Sequence, residues 1–272
     1  MRVETLVERV KAHRCYSHPI FHNWARVNPG TEAIGALFHH IRSFCDATRP
    51  GWNLPQGLKE IGLSTESHLL QEIVDSEENH GPELAMMAGH IINRSVPGKA
   101  IFDDLTDQIH IESMLKRCSD ELLGQLPGYD FATGLMPQTK KAIRTFETRK
   151  STAAQDVYKS LGTALALEII SNRQLIPGEK TCLVDSGLYR ASFDEPAMHY
   201  LVEHYGETGA ECQHEQNAIE AVGSVLNPQN SAAIVQGADD FLDNLAALWD
   251  MLAATLLQDK VARVAPCHAL LG

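Results

Sequence analysis

The stretch MHYLVEHYGETGAECQHEQNAIEAV, residues 198–222, places His204, Glu207, Glu211 and His214 at successive steps of three, four and three residues. On an α-helix those steps return to one face, so four side chains able to bind protons or metals share a stripe. Leu201 before them and Ala218 and Val222 after them continue the stripe with apolar residues, which marks the face as interior. A solvated charge run would not be bounded this way; a polar stripe at an oligomer interface or an ion-pair ladder remains the plainer alternative. Gly206 and Gly209 interrupt the element, and each costs on the order of 1 kcal/mol inside a helix, so an irregular turn is expected there.

The same three- and four-residue spacing of apolar residues runs through nearly the whole chain, and alternating strand patterns are hard to find. The expected class is all-α, a single domain over 1–272 with about seven to nine helices. Helices are expected over 2–14, 31–48, 64–94, 102–124, 137–147, 152–176, 194–224 and 229–262, with a short or irregular segment around 17–27. Pro29-Gly30 and Thr31 punctuate one start, and Ser64-Thr65-Glu66 another. Pro50-Gly51, Pro97-Gly98, Pro127-Gly128, Pro177-Gly178 and Asn227-Pro228 lie between the periodic runs, where helices are expected to end. There is no fixed-period repeat, which argues against a solenoid.

Thirty-five acidic against 23 basic residues give a formal charge of −12, which disfavours nucleic acid and anionic lipid as partners and favours a small-molecule substrate. No apolar run is long enough to span a bilayer and the start lacks a signal peptide's apolar centre, so a cytoplasmic protein is expected. Six cysteines stand far apart without a Cys-x-x-Cys pair and read as reduced thiols. The 13 histidines are roughly twice the number ordinary composition supplies, and histidine is the commonest metal ligand.

Two further helices carry misplaced polar residues. In LLQEIVDSEENHGPELAMMAGHII, residues 69–92, Glu77 and His80 interrupt a stripe set by Leu69, Ile73, Leu84, Met87 and Ile91, and the following Gly81-Pro82 should kink the helix. In LGTALALEIISNRQLI, residues 161–176, Glu168 sits among Ala164, Ile169 and Ile170. An ionised carboxylate there costs several kcal/mol unless a metal ion, or an arginine from another helix, meets it. Three such helices bearing only carboxylates and imidazoles favour a metal site. Glu77, His80, Glu168, His204, Glu211 and His214 supply six nitrogen and oxygen ligands, enough for two ions, and an oxygen-rich mixed set suits iron or manganese better than zinc or magnesium.

The order Glu, His, Glu, His, Glu, His resembles the haem-oxygenase-like di-iron oxidases, helical proteins that bind iron instead of haem. The likeness covers most of the chain. It rests on His18-Pro19-Ile20-Phe21 near the start, Glu77 and His80 on a central helix, Glu168 within Ala166-Leu167-Glu168, and a late helix with His, carboxylate and His. That family spaces its late ligands as His-x3-Asp/Glu-x2-His, whereas here Glu207 occupies the four-before position and His204 stands seven before Glu211; either side chain fits the role. The early carboxylate is Glu77 or Glu72.

What the resemblance implies is an enzyme with two Fe(II)/Fe(III) ions and O2 as co-substrate. Its reaction would be N-oxygenation of an amine, or oxidative C–C cleavage of an amino acid or fatty acid, in a biosynthetic pathway. Arg42 and Arg173 could pair with a substrate carboxylate and Tyr200 could line the pocket; a homodimer is admissible. A metal-free enzyme resembling TenA-type thiamin-salvage hydrolases or the pyrroloquinoline-quinone oxidase would need a nucleophilic cysteine, and Cys212 beside Glu211 is poorly placed electrostatically. A ferritin-like di-iron bundle would need another glutamate in 31–48, where only Glu32 stands. A pH-sensitive interaction protein is the non-enzymatic alternative. His39 and His40 are left between a role behind the ligands and simple packing.

Overall fold

The computed structural model describes residues 1–48, 53–77, 80–98 and 100–258, except for the side chain at 80. Pro50-Gly51, Cys267 and the expected helix end at 259–262 fall outside these residues. The order is α1 (Val3–Ala12), α2 (Ile20–Arg26), α3 (Thr31–Thr48), α4 (Asn53–Glu60), α5 (Ser64–Ser76), α6 (His80–Ser95), α7 (Gln108–Leu123), α8 (Pro137–Arg144), α9 (Ala154–Ile170), α10 (Ile176–Lys180), α11 (His199–His204), α12 (Ala210–Val225) and α13 (Ser231–Leu256). The all-α expectation holds for the described residues. Helices outnumber the seven to nine expected, because the spans 64–94 and 194–224 are each divided, α10 is set off from α9 by a π turn, and α4 falls where none was expected.

The divisions have local causes. The span 64–94 separates into α5 and α6, and the glycine-bearing stretch at 205–209 separates α11 from α12. Gly206 holds φ +94°, a left-handed turn that a helix cannot contain. Conversely, Pro177-Gly178 does not stop its helix. A π turn at Ser171–Leu175 precedes α10 and another at Thr181–Asp185 follows it, so the chain stays helical from 154 to 185. Pro177 thus sits at the opening of α10, where a missing N–H and the ring's bulk are tolerated.

One core unites these helices. α9 lies against α13 and α12, and α3 against α7, α6 and α8. The α9–α13 crossing is close because both sides present glycine: a Cβ at Gly162 would meet the Ile234 carbonyl oxygen at 1.8 Å, and one at Gly237 the Lys159 oxygen at 1.9 Å. Phe44, Phe146, Phe241 and Trp249 pack together beside that crossing. α3 is pinned from its other side by His40, whose Nδ1 and Nε2 lie 2.6 Å from Thr139 Oγ1 and 3.2 Å from Ser119 Oγ. Burial pushes the His40 imidazole down to about 3, so it is a neutral bridge. His39 reaches the Thr133 carbonyl at 2.9 Å. Both histidines therefore brace α3 against the 119–139 region.

Candidate metal centre

The side chains of Glu77, Glu168, Glu211 and His214 converge between helices. Glu77 caps the C-terminal end of α5, Glu168 lies in the last turn of α9, and Glu211 and His214 stand one turn apart at the start of α12. His214 Nδ1 is 3.8 Å from Glu77 Oε1, 3.8 Å from Glu168 Oε2 and 3.8 Å from Glu211 Oε2. These separations are too long for hydrogen bonds. They match two ligand atoms sharing one ion, which stand about 3.0–3.8 Å apart when each is about 2.1–2.2 Å from it. Ligand atoms of Glu77, Glu211 and His214 all lie within 4.8 Å of one another, close enough for one ion.

Hydrogen bonding fixes where the imidazole protons sit. Ser76 Oγ gives its proton to the Ile73 carbonyl at 2.9 Å and lies 2.7 Å from His214 Nε2. When the hydroxyl proton goes to the carbonyl, Nε2–H of neutral His214 donates to Oγ and the Nδ1 lone pair faces the carboxylates. His204 is held in the same way, since its Nδ1 lies 2.6 Å from the Tyr200 carbonyl oxygen, which can only accept. A proton held on the outer nitrogen is the usual arrangement of a metal-binding histidine.

Electrostatics point the same way. Glu168 and Glu211 are 5% and 4% exposed. Burial first, and then neighbouring carboxylates, holds both well above the ordinary carboxylate range. Glu211 Oε2 is buried without a hydrogen-bond partner. Such a group needs a proton or a cation. A cavity of about 30 Å³ adjoins the carboxylates, lined also by Cys45, Thr48, Leu84, Leu167, Leu175 and Tyr200. It has room for one or two waters or a diatomic molecule. Burial raises the Cys45 thiol and the Tyr200 phenol well above their usual values, so both keep their protons.

The other expected site residues lie as follows. His204 is 1% exposed at the end of α11, outside the tightest ligand group. Glu207 is exposed in the turn after it. Glu72 is exposed on α5 and accepts from Asn217 Nδ2 at 2.9 Å. The side chain of His80 lies outside the described residues. Arg42 is engaged with Glu112 at 2.5 Å and Asp46 at 3.2 Å, and Arg173 with Glu215 at 2.9 Å. Cys212 does not line the cavity and accepts weakly from Gln216 Nε2 at 3.6 Å.

Sequence reading passed over Ser76, Cys45 and Arg149. The first two left a trace, as neighbours of Glu77 and as part of a core-facing helix; Arg149 left none.

No family model, curated protein or solved structure matches this chain. The case for a metal centre therefore stands on this chain's own residues.

Proposed function

We propose that the chain is a non-haem di-iron oxidase or oxygenase that uses O2 to oxidise a small amine, amino-acid-derived or carboxylate substrate. The observation that carries this reading is the set of three carboxylate oxygens, from buried Glu168 and Glu211 and half-buried Glu77, each 3.8 Å from a single imidazole nitrogen of His214. Carboxylate-rich sites with imidazole favour iron or manganese.

In this reading Glu77, Glu168, Glu211 and His214 hold metal, with His204 and His80 as the further nitrogen donors that the sequence resemblance implies. Ferrous ions, if held by these residues, would supply electrons to dioxygen, which no ordinary side chain does. The protein's own work is positioning and exclusion. Ser76 fixes the His214 tautomer, and Leu84, Leu167 and Leu175 keep the small cavity apolar on one side. The protonated Tyr200 phenol is a hydrogen-bond donor at its edge, and the protonated Cys45 thiol does not compete as a thiolate ligand. That protonation also weighs against a metal-free enzyme with a cysteine nucleophile at this cavity.

No described helix is long and apolar enough to cross a membrane, and the five described cysteines are free thiols. A cytoplasmic biosynthetic enzyme fits the same reading. The test is anaerobic titration of metal-free protein with Fe(II), elemental analysis, then rapid mixing with O2. About two irons per chain and a transient visible band, both lost in His214→Ala, are expected. Iron at background level in the wild type, indistinguishable from the variant, would overturn the reading.

A further inference from the structure

Arg149 sits in the 3-10 turn Glu147–Lys150 and is 5% exposed. Its Nη1 donates to the Thr48 carbonyl at 2.7 Å and its guanidinium carbon lies 4.6 Å over the Phe146 ring. Nε is buried without a hydrogen-bond partner. Among the described residues no carboxylate reaches this guanidinium within 4.0 Å; Glu168 and Glu77 support its charge only from a distance. A buried, permanently charged fork without a paired anion is costly.

Its position suggests which anion completes it. Arg149 lines a recess of about 240 Å³ with Ala47, Asn53, Ile143, Phe146, Glu147 and Lys150. Thr48, whose carbonyl it holds, lines the metal cavity. Through this hydrogen bond the recess is linked to the metal cavity, and it offers a guanidinium and a lysine, with the Glu147 carboxylate, beside an aromatic and an aliphatic wall. Arg42 and Arg173 have carboxylate partners, whereas no carboxylate among the described residues lies within 4.0 Å of the Arg149 guanidinium.

We propose that Arg149 is the receptor for a carboxylate group of the substrate, bound in this recess, and that loading the neighbouring Glu/His cluster with divalent cations strengthens the binding. The second half rests on the metal reading. Glu168 and Glu77 give Arg149 its distant support, and two divalent cations bound beside them would more than offset the negative charge that Glu77, Glu168 and Glu211 can carry. The guanidinium then loses its support and gains a reason to bind an anion. The planar fork fits a carboxylate in two parallel hydrogen bonds, which a lysine cannot reproduce.

The experiment measures calorimetric binding of hexanoate, hexan-1-ol and inorganic phosphate to wild type, Arg149→Lys and Arg149→Met. Each is assayed metal-free and with Mn(II), whose own binding is titrated separately. Hexanoate should bind the wild type, hexan-1-ol should not, and phosphate should bind more weakly than hexanoate. Hexanoate should bind at least ~10-fold more weakly to Arg149→Lys and undetectably to Arg149→Met, with Mn(II) tightening the wild-type complex at least ~5-fold. Equal hexanoate binding by wild type and Arg149→Lys, hexanol binding as well as hexanoate, or preference for phosphate would overturn the proposal. If Arg149→Met does not fold, the lysine variant decides, because it keeps the charge and loses the fork. Failure of Mn(II) to bind would sink the metal reading, while the metal-free arm would still judge Arg149.

Discussion

Ser76 Oγ lies 2.7 Å from His214 Nε2 and 2.9 Å from the Ile73 carbonyl, so a hydroxyl that donates to the carbonyl accepts the imidazole Nε2 proton. One residue at the end of α5 therefore sets which nitrogen of a residue on α12 faces three carboxylates. Replacing Ser76 by alanine leaves the carboxylates in place but frees the tautomer and the ring's orientation. Metal affinity in Ser76→Ala should fall by about 10- to 100-fold, the usual cost of losing a partner behind a ligand. Mn(II) or Fe(II) titration checks this, and the melting temperature should move little. Unchanged affinity would mean that the hydroxyl does not orient the ring.

Metal uptake should also report on protons. Glu168 and Glu211 are held above the ordinary carboxylate range by burial and by each other's neighbours, so in the metal-free protein they retain protons toward neutral pH. A cation must displace those protons, so affinity strengthens as pH rises. Apparent Mn(II) affinity should increase at least ~10-fold between pH 6 and pH 8, with protons released into a weak buffer. Glu168→Gln should flatten that dependence and lower the metal content. A pH-independent affinity would remove these two carboxylates from the ligand set.

A third buried carboxylate acts on stability. Glu179 on α10 is 1% exposed, and burial raises it from 4.5 to about 8. Between those two values the folded state binds more protons than the unfolded one, so this group's contribution is complete below about 4.5 and is lost as pH rises through about 8. Glu179→Gln keeps the shape without the charge. It should be more stable than wild type at pH 8.5 by on the order of 1–3 kcal/mol, and little different at pH 5. Urea unfolding of the metal-free proteins at the two pH values tests the sign.

Much of this architecture could be read in advance, for physical reasons that differ by residue. Glu168 stood out because the run Ala164 to Ile170 is apolar on every side, so a carboxylate there had to be buried. Glu211 and His214 were legible because a three-residue step survives any change further along the helix. The link back to His204 was not, since it assumed an unbroken helix, and the left-handed Gly206 ends that geometry. Pro177 was read as a stop because single-residue propensity contains no π turn. Arg149 could not be found from sequence at all: its meaning comes from Thr48 and from the carboxylates of other helices, which only tertiary packing brings near it.

The break at 205–209 also separates the two residues that sequence spacing left equivalent. Glu207 is exposed within the turn, where water solvates its charge. His204 is 1% exposed, and its Nδ1 proton is held by the Tyr200 carbonyl, so its Nε2 carries the lone pair a cation needs. Tyr200 lines the cavity beside Glu77, Glu168 and Glu211, and its ring lies 4.6 Å from that of His204 one turn further along α11. His204→Ala should therefore reduce bound iron from about two to about one per chain, and Glu207→Ala should leave the count unchanged, by elemental analysis after anaerobic loading. Should Glu207→Ala lose the ion instead, the turn at 205–209 must refold on metal binding to carry that carboxylate inward. His204 would then be a packing residue fixed by Tyr200.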